Sequence, residues 1–296
     1  MPLKDKPTVI EHLFKARYDE ATKTFSDEVV DADALKAAME YCNQNLGTGL
    51  STNNPANFLK DYLRSPRRNA DWPPLLHSHR VTARQKYRNK RVFAFAPYET
   101  GVNEPFPDEF VIATEEEPHT IEAVSLPSDA RALGRKDEAW LIQVCVHQRI
   151  LQTHFALYSK LKVVDIFHLQ NSLKATPEID AVFLMTLQDG GKRVKALVTM
   201  EAKREDPILK DQVRSQVAYM ASQCQKKAEL NDIKFIIPVA ARSGRRGTER
   251  VVNVFEMSKI AVDVGAASFD AEEEHLIALK TESSVSYRFK PTIIGI

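Results

Sequence analysis

The chain has 296 residues, of which 43% are hydrophobic and 27% are charged. This composition is typical of a globular protein and excludes a wholly disordered or collagen-like chain, and the length suggests about two domains. Lys and Arg together number 41 and Asp and Glu 40, which gives a formal net charge of +1. The total charge therefore does not indicate a polyanionic partner, and only the distribution of charge along the chain can do so.

The sequence contains no continuous apolar run of the roughly 18 to 20 residues that a membrane-spanning helix needs. The N-terminal segment also lacks the apolar run and the small-residue cleavage site of a secretory signal. The three cysteines, Cys42, Cys145 and Cys224, form no CxxC pair. We therefore expect no membrane partner, no disulfide scaffold, no cysteine-based zinc site and a cytoplasmic location.

The charge is unevenly distributed. Residues 57–91 carry ten basic side chains and two acidic ones, whereas residues 101–124 carry seven acidic side chains and no Lys or Arg. A basic block of this kind is typical of a nucleic-acid contact, but it also occurs on ordinary solvated faces. Both interpretations stay open at this level.

The N-terminal part is predicted to be mainly helical. Leu35, Met39 and Cys42 repeat at helical spacing, and a second short helix is expected over residues 58–64. A packed helical pair is preferred over a helix-turn-helix, because the connection is long. Residues 81–97 are predicted to form a hairpin with its turn near Asn89.

Basic residues interleaved with a tyrosine in this region can bind phosphates and stack on bases. They can equally form a charged sheet edge that discourages strand pairing. The candidate DNA-binding residues are Arg64, Arg67, Arg68, Arg84, Lys86, Tyr87, Arg88 and Arg91. Prolines and clustered acids after residue 103 mark a boundary, which predicts an N-terminal recognition region over 1–125 and a second domain over 126–296.

The second half alternates helical and strand patterns. After a short helical lead-in at Ser128, one long helix is expected over 137–160, followed by strands that begin near Lys162, Ile179 and Val194. Two glycines after Asp189 predict a tight turn between the second and third strands. A helix is expected from 206–207 to about 227, and a further strand from Ile233. The predicted order is helix, three strands, helix, strand.

Strand alternation indicates which side chains meet. Glu201 and Lys203 share one face of their strand, and a hairpin with the preceding strand would bring Asp180 beside them. Converging carboxylates are costly unless a proton or cation separates them, and Mg²⁺ prefers oxygen ligands. The alternative is an ion-pair cluster on the surface of a half-exposed hairpin.

One pattern resembles the active-site signature of the PD-(D/E)xK nuclease superfamily: Asp180, the interval that follows it, and Glu201-Ala202-Lys203. In this chain, however, Pro177 is not adjacent to Asp180. The order of elements over residues 129–242 is similar to that superfamily's common core. The resemblance implies an α/β fold with a restriction-endonuclease-like core, in which helices flank a mixed sheet. The remainder would be an N-terminal, mainly helical domain with a hairpin, and this basic half is similar to the DNA-recognition part of restriction-endonuclease-like proteins.

The resemblance also implies an activity, the hydrolysis of phosphodiester bonds in double-stranded DNA with Mg²⁺ (or Mn²⁺ as a substitute). Asp180 and Glu201 would bind the metal, with the Ala202 carbonyl and Glu138 as further ligands. Lys203 would position the attacking water or stabilise the charge on phosphorus. The glutamines implied at the site are Gln212 and Gln216, spaced i, i+4 on the following helix.

Several of these residues have simpler explanations. Glu138 can be a first-turn acid that favours the helix dipole, and the two glutamines can be the polar edge of an amphipathic helix. His147 and His154 are interpreted as packing residues rather than a metal pair, and 244–247 as a flexible turn.

Three functions remain open: a restriction-type endonuclease, a non-catalytic nucleic-acid-binding protein on a nuclease fold, and a repair nuclease directed to damaged or branched DNA. A palindromic target would require a symmetric homodimer.

Overall fold

The computed structural model describes residues 5–112 and 116–296. The chain divides into two compact units, Met1–Glu109 and Phe110–Ile296. The division lies before the predicted boundary at residue 125, because Phe110 and residues 119–122 pack or pair with the second unit. His119–Glu122 adds a strand to the large sheet, and the ring of Phe110 lies 5.5 Å from that of Phe255.

In the part that the structure describes, the first unit combines four α-helices with short strands. Its elements are α1 Lys6–Arg17, β1 Tyr18–Asp19, β2 Thr24–Phe25, β3 Val29–Asp31, α2 Ala32–Asn45, α3 Phe58–Leu63, α4 Pro74–Ser78, β4 Val81–Gln85 and β5 Arg91–Pro97. The predicted helices at α2 and α3 are present, and α2 buries Leu35, Met39 and Cys42 as their spacing predicts.

The predicted hairpin is confirmed, since β4 and β5 pair antiparallel and Asn89 between them has φ 53°. The strand β3 pairs with the other side of β5 and completes a three-stranded sheet. With three residues, β3 is too short to show an alternating pattern in the sequence.

The second unit is a mixed α/β structure. Its elements are β6 His119–Glu122, α5 Ser128–Ala132, α6 Glu138–His147, α7 Ile150–Leu157, β7 Lys162–Leu173, β8 Ile179–Asp189, β9 Lys192–Lys203, α8 Lys210–Lys226, β10 Ile233–Arg246, β11 Glu249–Met257, β12 Ile260–Ala261, α9 Val262–Asp270 and β13 Thr281–Lys290. The sheet order is β6-β13-β11-β10-β9-β8-β7, with β12 beside β10. The predicted order of helix, three strands, helix and strand is present, but the first helix is interrupted.

The sheet is mixed and has helices on both faces. The pairs β9–β10 and β6–β13 are parallel, and the other pairs are antiparallel. Phe183 and Val198 share a core cluster with residues of α6 and α7, whereas Val182 and Leu197 share another with residues of α8 and α9. Because successive side chains of β8 and β9 point to opposite faces of the sheet, these strands contribute to two separate hydrophobic cores.

Two of the predicted helices have different bounds. The helix expected over 137–160 is two helices, because Arg149 adopts φ 52° in the left-handed region and interrupts it. The helix expected from 206–207 begins at Lys210, with the extended Leu209 as its N-cap residue, and ends at Lys226. Within the described residues, no helix has the length and apolar character that spanning a membrane requires.

Helices α8 and α9 approach closely at a glycine. A Cβ atom added to Gly265 would lie 2.7 Å from the Cβ of Ala221, so Gly265→Ala forces the helices apart. Overpacking of this kind costs about 1–3 kcal/mol, and we expect a lower melting temperature. Val264→Ala on the exposed side of α9 is the matched control and should change the unfolding free energy by less than about 0.5 kcal/mol. Equal melting temperatures of the two variants would contradict the close-packing explanation.

Among the described residues, the outer strand β7 pairs along one edge only, and its exposed surface includes apolar side chains. Val164, Phe167 and Leu169 are exposed, Phe167 to 63%. Register shifts between Val163 and Asp165 and between His168 and Gln170 interrupt its pairing with β8. The shifts therefore divide the strand into three short regular segments, residues 162–163, 165–168 and 170–173.

Candidate active site

The site forms where β8 begins and β9 ends. The two strands pair antiparallel with Ala181 opposite Met200, a register that places Asp180 beside Glu201. Beyond the last paired residues, the Ala202 N–H donates a 2.7 Å hydrogen bond to Oδ2 of Asp180. The first carboxylate is thus fixed by the main chain of the strand that carries the other two groups.

Lys203 connects the strand to α6. Its Nζ lies 2.6 Å from Oε1 of Glu201 and 3.2 Å from Oε1 of Glu138, and it donates a 3.1 Å hydrogen bond to the Ala202 carbonyl. Glu138 reaches the site because it occupies the first turn of α6, whose N-cap is Asp137. The structure therefore brings Glu138 to the cluster, in addition to any effect on its own helix.

Helix α8 supplies two amides to the same carboxylate. Gln212 Nε2 donates to Oε1 of Glu201 at 2.7 Å, and Gln216 Nε2 donates to Oε2 at 2.5 Å. The Gln216 amide also donates to the Glu178 carbonyl at 2.7 Å. Both glutamines are buried, so their interpretation as the polar edge of α8 is wrong. The sequence could not predict the contact with Glu178, because the acceptor is a main-chain oxygen, which every residue has.

One polar atom at the site lacks a partner. Oε1 of Gln212 is buried and accepts no hydrogen bond from the described residues. Its orientation follows from the other end of the amide, which must donate to Glu201. An unsatisfied buried acceptor costs about 1–3 kcal/mol. A bound water or ligand group that donates to this oxygen would recover that free energy.

Burial sets the proton affinities of the cluster. Glu201 is fully buried, and this desolvation raises its pKa to about 7, although Lys203 opposes the shift. Burial also raises the pKa of Asp180, against the lowering effects of Lys203 and the Ala202 N–H. For Lys203 burial lowers the pKa, but the negative charges of Glu201, Asp180 and Glu138 outweigh it and the net pKa is raised. The lysine is therefore held as an ammonium among carboxylates.

These features distinguish the site from a surface ion-pair cluster. Glu201 and Lys203 are 0% and 4% exposed, so the surface interpretation is wrong. When all groups are ionised, the carboxylates of Asp180, Glu201 and Glu138 and the ammonium of Lys203 together carry a formal charge of −2. Such a site can hold a dication or a proton, and it can place an ammonium next to a reacting anion.

The candidate DNA-binding residues lie on two segments of the first unit. Arg64, Arg67 and Arg68 are at the end of α3 or just beyond it, and the other five are on or between β4 and β5. Arg67 forms a bidentate ion pair with Asp71, at 2.8 Å from Nη2 to Oδ1. Arg84, Lys86 and Arg88 are partly exposed.

The two histidines interpreted above as packing residues, His147 and His154, have different environments. His147 is exposed at the end of α6, whereas His154 is fully buried. His154 lies 3.0 Å from the Tyr287 hydroxyl, 2.8 Å from the Ser283 hydroxyl and 3.4 Å from Oε2 of Glu256. Hydrogen bonds from His154, Ser159 and Ser283 lower the pKa of Glu256 despite its burial. His154 is therefore part of a buried hydrogen-bond network between α7 and the sheet.

Among the residues that the structure describes, no three or more His, Cys, Asp or Glu side chains form a metal-binding group. The cluster at Glu201 differs from such a group because an ammonium and two amides occupy much of its carboxylate. No family model matches this sequence, and comparisons with curated proteins and with solved structures also give no match.

Proposed function

We propose that the protein is a Mg²⁺-dependent endonuclease of the restriction type that hydrolyses phosphodiester bonds in double-stranded DNA. One observation carries the proposal: Asp180, Glu201 and Lys203 converge at the ends of two paired strands, and Glu201 and Lys203 are buried. A buried cluster of this charge is costly for folding and gains nothing for a scaffold. On this proposal the second unit has a restriction-endonuclease-like core.

The oxygen ligands and the charge of the site support a hard divalent cation. The candidate metal ligands are all oxygen atoms. One dication would neutralise the formal charge of −2 at the site. Asp180 and Glu201 would hold it, with the Ala202 carbonyl and Glu138 as further ligands. The small number of protein ligands agrees with Mg²⁺, which usually keeps several waters and is bound by one or two carboxylates together with phosphate. A bound water could donate to the orphaned Oε1 of Gln212.

When bound, the cation would neutralise charge on the scissile phosphate and lower the pKa of a coordinated water. The residues of the chain have separate roles. Lys203 presents an ammonium to the anion that develops on phosphorus, and Glu201 holds it there at 2.6 Å. Gln212 and Gln216 orient the Glu201 carboxylate through one amide each. Asp180 is oriented by the Ala202 N–H.

The affinity for Mg²⁺ should increase with pH up to about 7. Below its pKa of about 7, Glu201 carries a proton that must leave before a cation binds, and the raised pKa of Asp180 acts in the same direction. We expect the affinity to fall about tenfold per pH unit below that value and to level off above it. Calorimetric titration in two buffers of different ionisation enthalpy measures the affinity and the released proton together. An affinity that is constant from about pH 6 to 8 would contradict this assignment.

Purified protein and supercoiled plasmid DNA provide the test of the activity. Nicking or linearisation should require Mg²⁺ or Mn²⁺ and stop with a chelator. A panel of linear, circular, single-stranded and branched DNA distinguishes a restriction-type enzyme from a repair nuclease. DNA binding without cleavage in any divalent metal would instead favour a non-catalytic protein.

We also propose that the enzyme acts as a homodimer on palindromic sites, because two strands related by twofold symmetry require two symmetric active sites. The mass of the complex with cleaved DNA, measured by light scattering, should correspond to two chains. A single chain per cut duplex would contradict the dimer.

A further inference from the structure

Strand β10 extends beyond the active site. Arg242 lies opposite Lys203 in the parallel pair β9–β10, and β9 ends there. Residues 243–246 continue and pair only with β11, so a two-stranded ribbon projects roughly 13 Å beyond Lys203 at about 3.3 Å per residue. This hairpin is therefore directly next to the place where the proposed cleavage occurs.

The hairpin is rich in arginine. Arg242, Arg245, Arg246 and Arg250 lie within nine residues that contain one acid, Glu249. Arg245 is exposed, and it pairs directly across the ribbon with Arg250. Like charges at directly opposite positions destabilise a strand pair. Arg250 donates to the Ile296 carbonyl at 3.0 Å and lies 3.6 Å from Glu205. Arg245 is therefore the arginine of this pair that a bound anion can neutralise.

A further arginine lies beside the hairpin. Arg204 follows Lys203, and the Ser243 hydroxyl donates to its main-chain oxygen. The Arg204 side chain pairs with Glu205 through Nη2 at 3.0 Å, whereas its Nε is buried without a hydrogen-bond partner among the described residues. Because this Nε is buried and Nη2 pairs with Glu205, the Arg204 side chain is already engaged, and Arg245 is the guanidinium exposed to a phosphate.

We infer that the β10–β11 hairpin binds the DNA backbone, with Arg245 contacting a phosphate that flanks the cleaved bond. The inference rests on the proposed function, and it assigns a DNA contact to the catalytic unit itself, separate from the basic residues of the first unit. The contact is to a phosphate, so it contributes affinity without sequence preference. It also holds the duplex at Lys203.

Binding of a short labelled DNA duplex, measured in a chelator over a series of KCl concentrations, tests the inference. Arg245→Ala should weaken binding several-fold and reduce the slope of log K against log salt by about one. Arg245→Lys should retain most of that slope. Arg193→Ala is the matched control, because Arg193 is an exposed arginine near the opposite end of β9. It should bind as the wild type does.

Equal effects of Arg245→Ala and Arg193→Ala would overturn the inference, and so would an effect seen with an RNA duplex but not with DNA. Because the assay needs no cleavage, it is independent of the proposed hydrolysis. A wild-type enzyme that cuts DNA while Arg245→Ala binds normally would refute only the hairpin contact. A wild-type protein that never cuts, with weaker binding by Arg245→Ala, would refute only the nuclease.

Discussion

Replacing Lys203 with methionine should lower Mg²⁺-dependent DNA cleavage by at least about 10²-fold. Methionine retains much of the length of the side chain but removes the ammonium, which is held 2.6 Å from Glu201 and 3.2 Å from Glu138. Without that charge, the developing anion on phosphorus loses the positive group that the protein itself supplies. The pKa of Glu201 should also rise further above its value of about 7, because the lysine now lowers it. Gel-based cleavage rates under single-turnover conditions measure the effect.

Lys195→Met is the matched control for this variant. Lys195 lies on the same strand, but its side chain is half exposed and pairs with Asp232 at 2.6 Å. The Lys195→Met variant should cleave DNA at the wild-type rate. DNA binding and the melting temperature of Lys203→Met distinguish lost chemistry from lost folding. A misfolded protein would lose DNA binding and the wild-type melting temperature together with cleavage. Cleavage within a few-fold of the wild type would remove Lys203 from the mechanism.

Asp180→Asn should abolish most of the cleavage and also the stabilisation of the protein by Mg²⁺. The asparagine oxygen can still accept the hydrogen bond from the Ala202 N–H, which spans 2.7 Å in the wild type, so the local backbone should be retained. The lost property is the negative charge. At a metal concentration of about 100 times the dissociation constant, the wild type should gain about 2.7 kcal/mol, and the variant much less.

Thermal denaturation with and without Mg²⁺ measures that difference. Asp189→Asn at the other end of β8 is the control, because Asp189 pairs with Lys259 at 2.7 Å and lies far along the strand from the site. It should retain both the cleavage and the Mg²⁺-dependent shift. If Asp180→Asn is stabilised as strongly as this control, Asp180 is not a metal ligand.

Much of the second unit could be predicted from local patterns. Alternating apolar residues identify β8 and β9, and the glycines after Asp189 identify their turn, where Gly190 and Gly191 have φ 55° and 80°. Once the turn is fixed, the register follows, and the register alone places Asp180 beside Glu201. The main part of the site was therefore accessible from sequence because it lies on one hairpin.

Features that depend on distant contacts could not be predicted. Arg149 is a residue without any obvious helix-breaking character, yet its φ of 52° divides the predicted long helix. The complete burial of Glu201 results from α8 packing over the strand, which the spacing of Gln212 and Gln216 suggests only as one of two possibilities. The projection of the arginine hairpin beyond Lys203 depends on where β9 ends relative to β10.

The outer strand β7 has a consequence for how molecules of this protein meet. An unpaired edge with exposed apolar residues such as Phe167 is a template on which another chain can add a strand. The two irregularities divide the strand into segments of at most four residues, so an added strand finds no long regular edge to pair with. Such an interrupted edge should oppose the repeated strand addition that builds fibres.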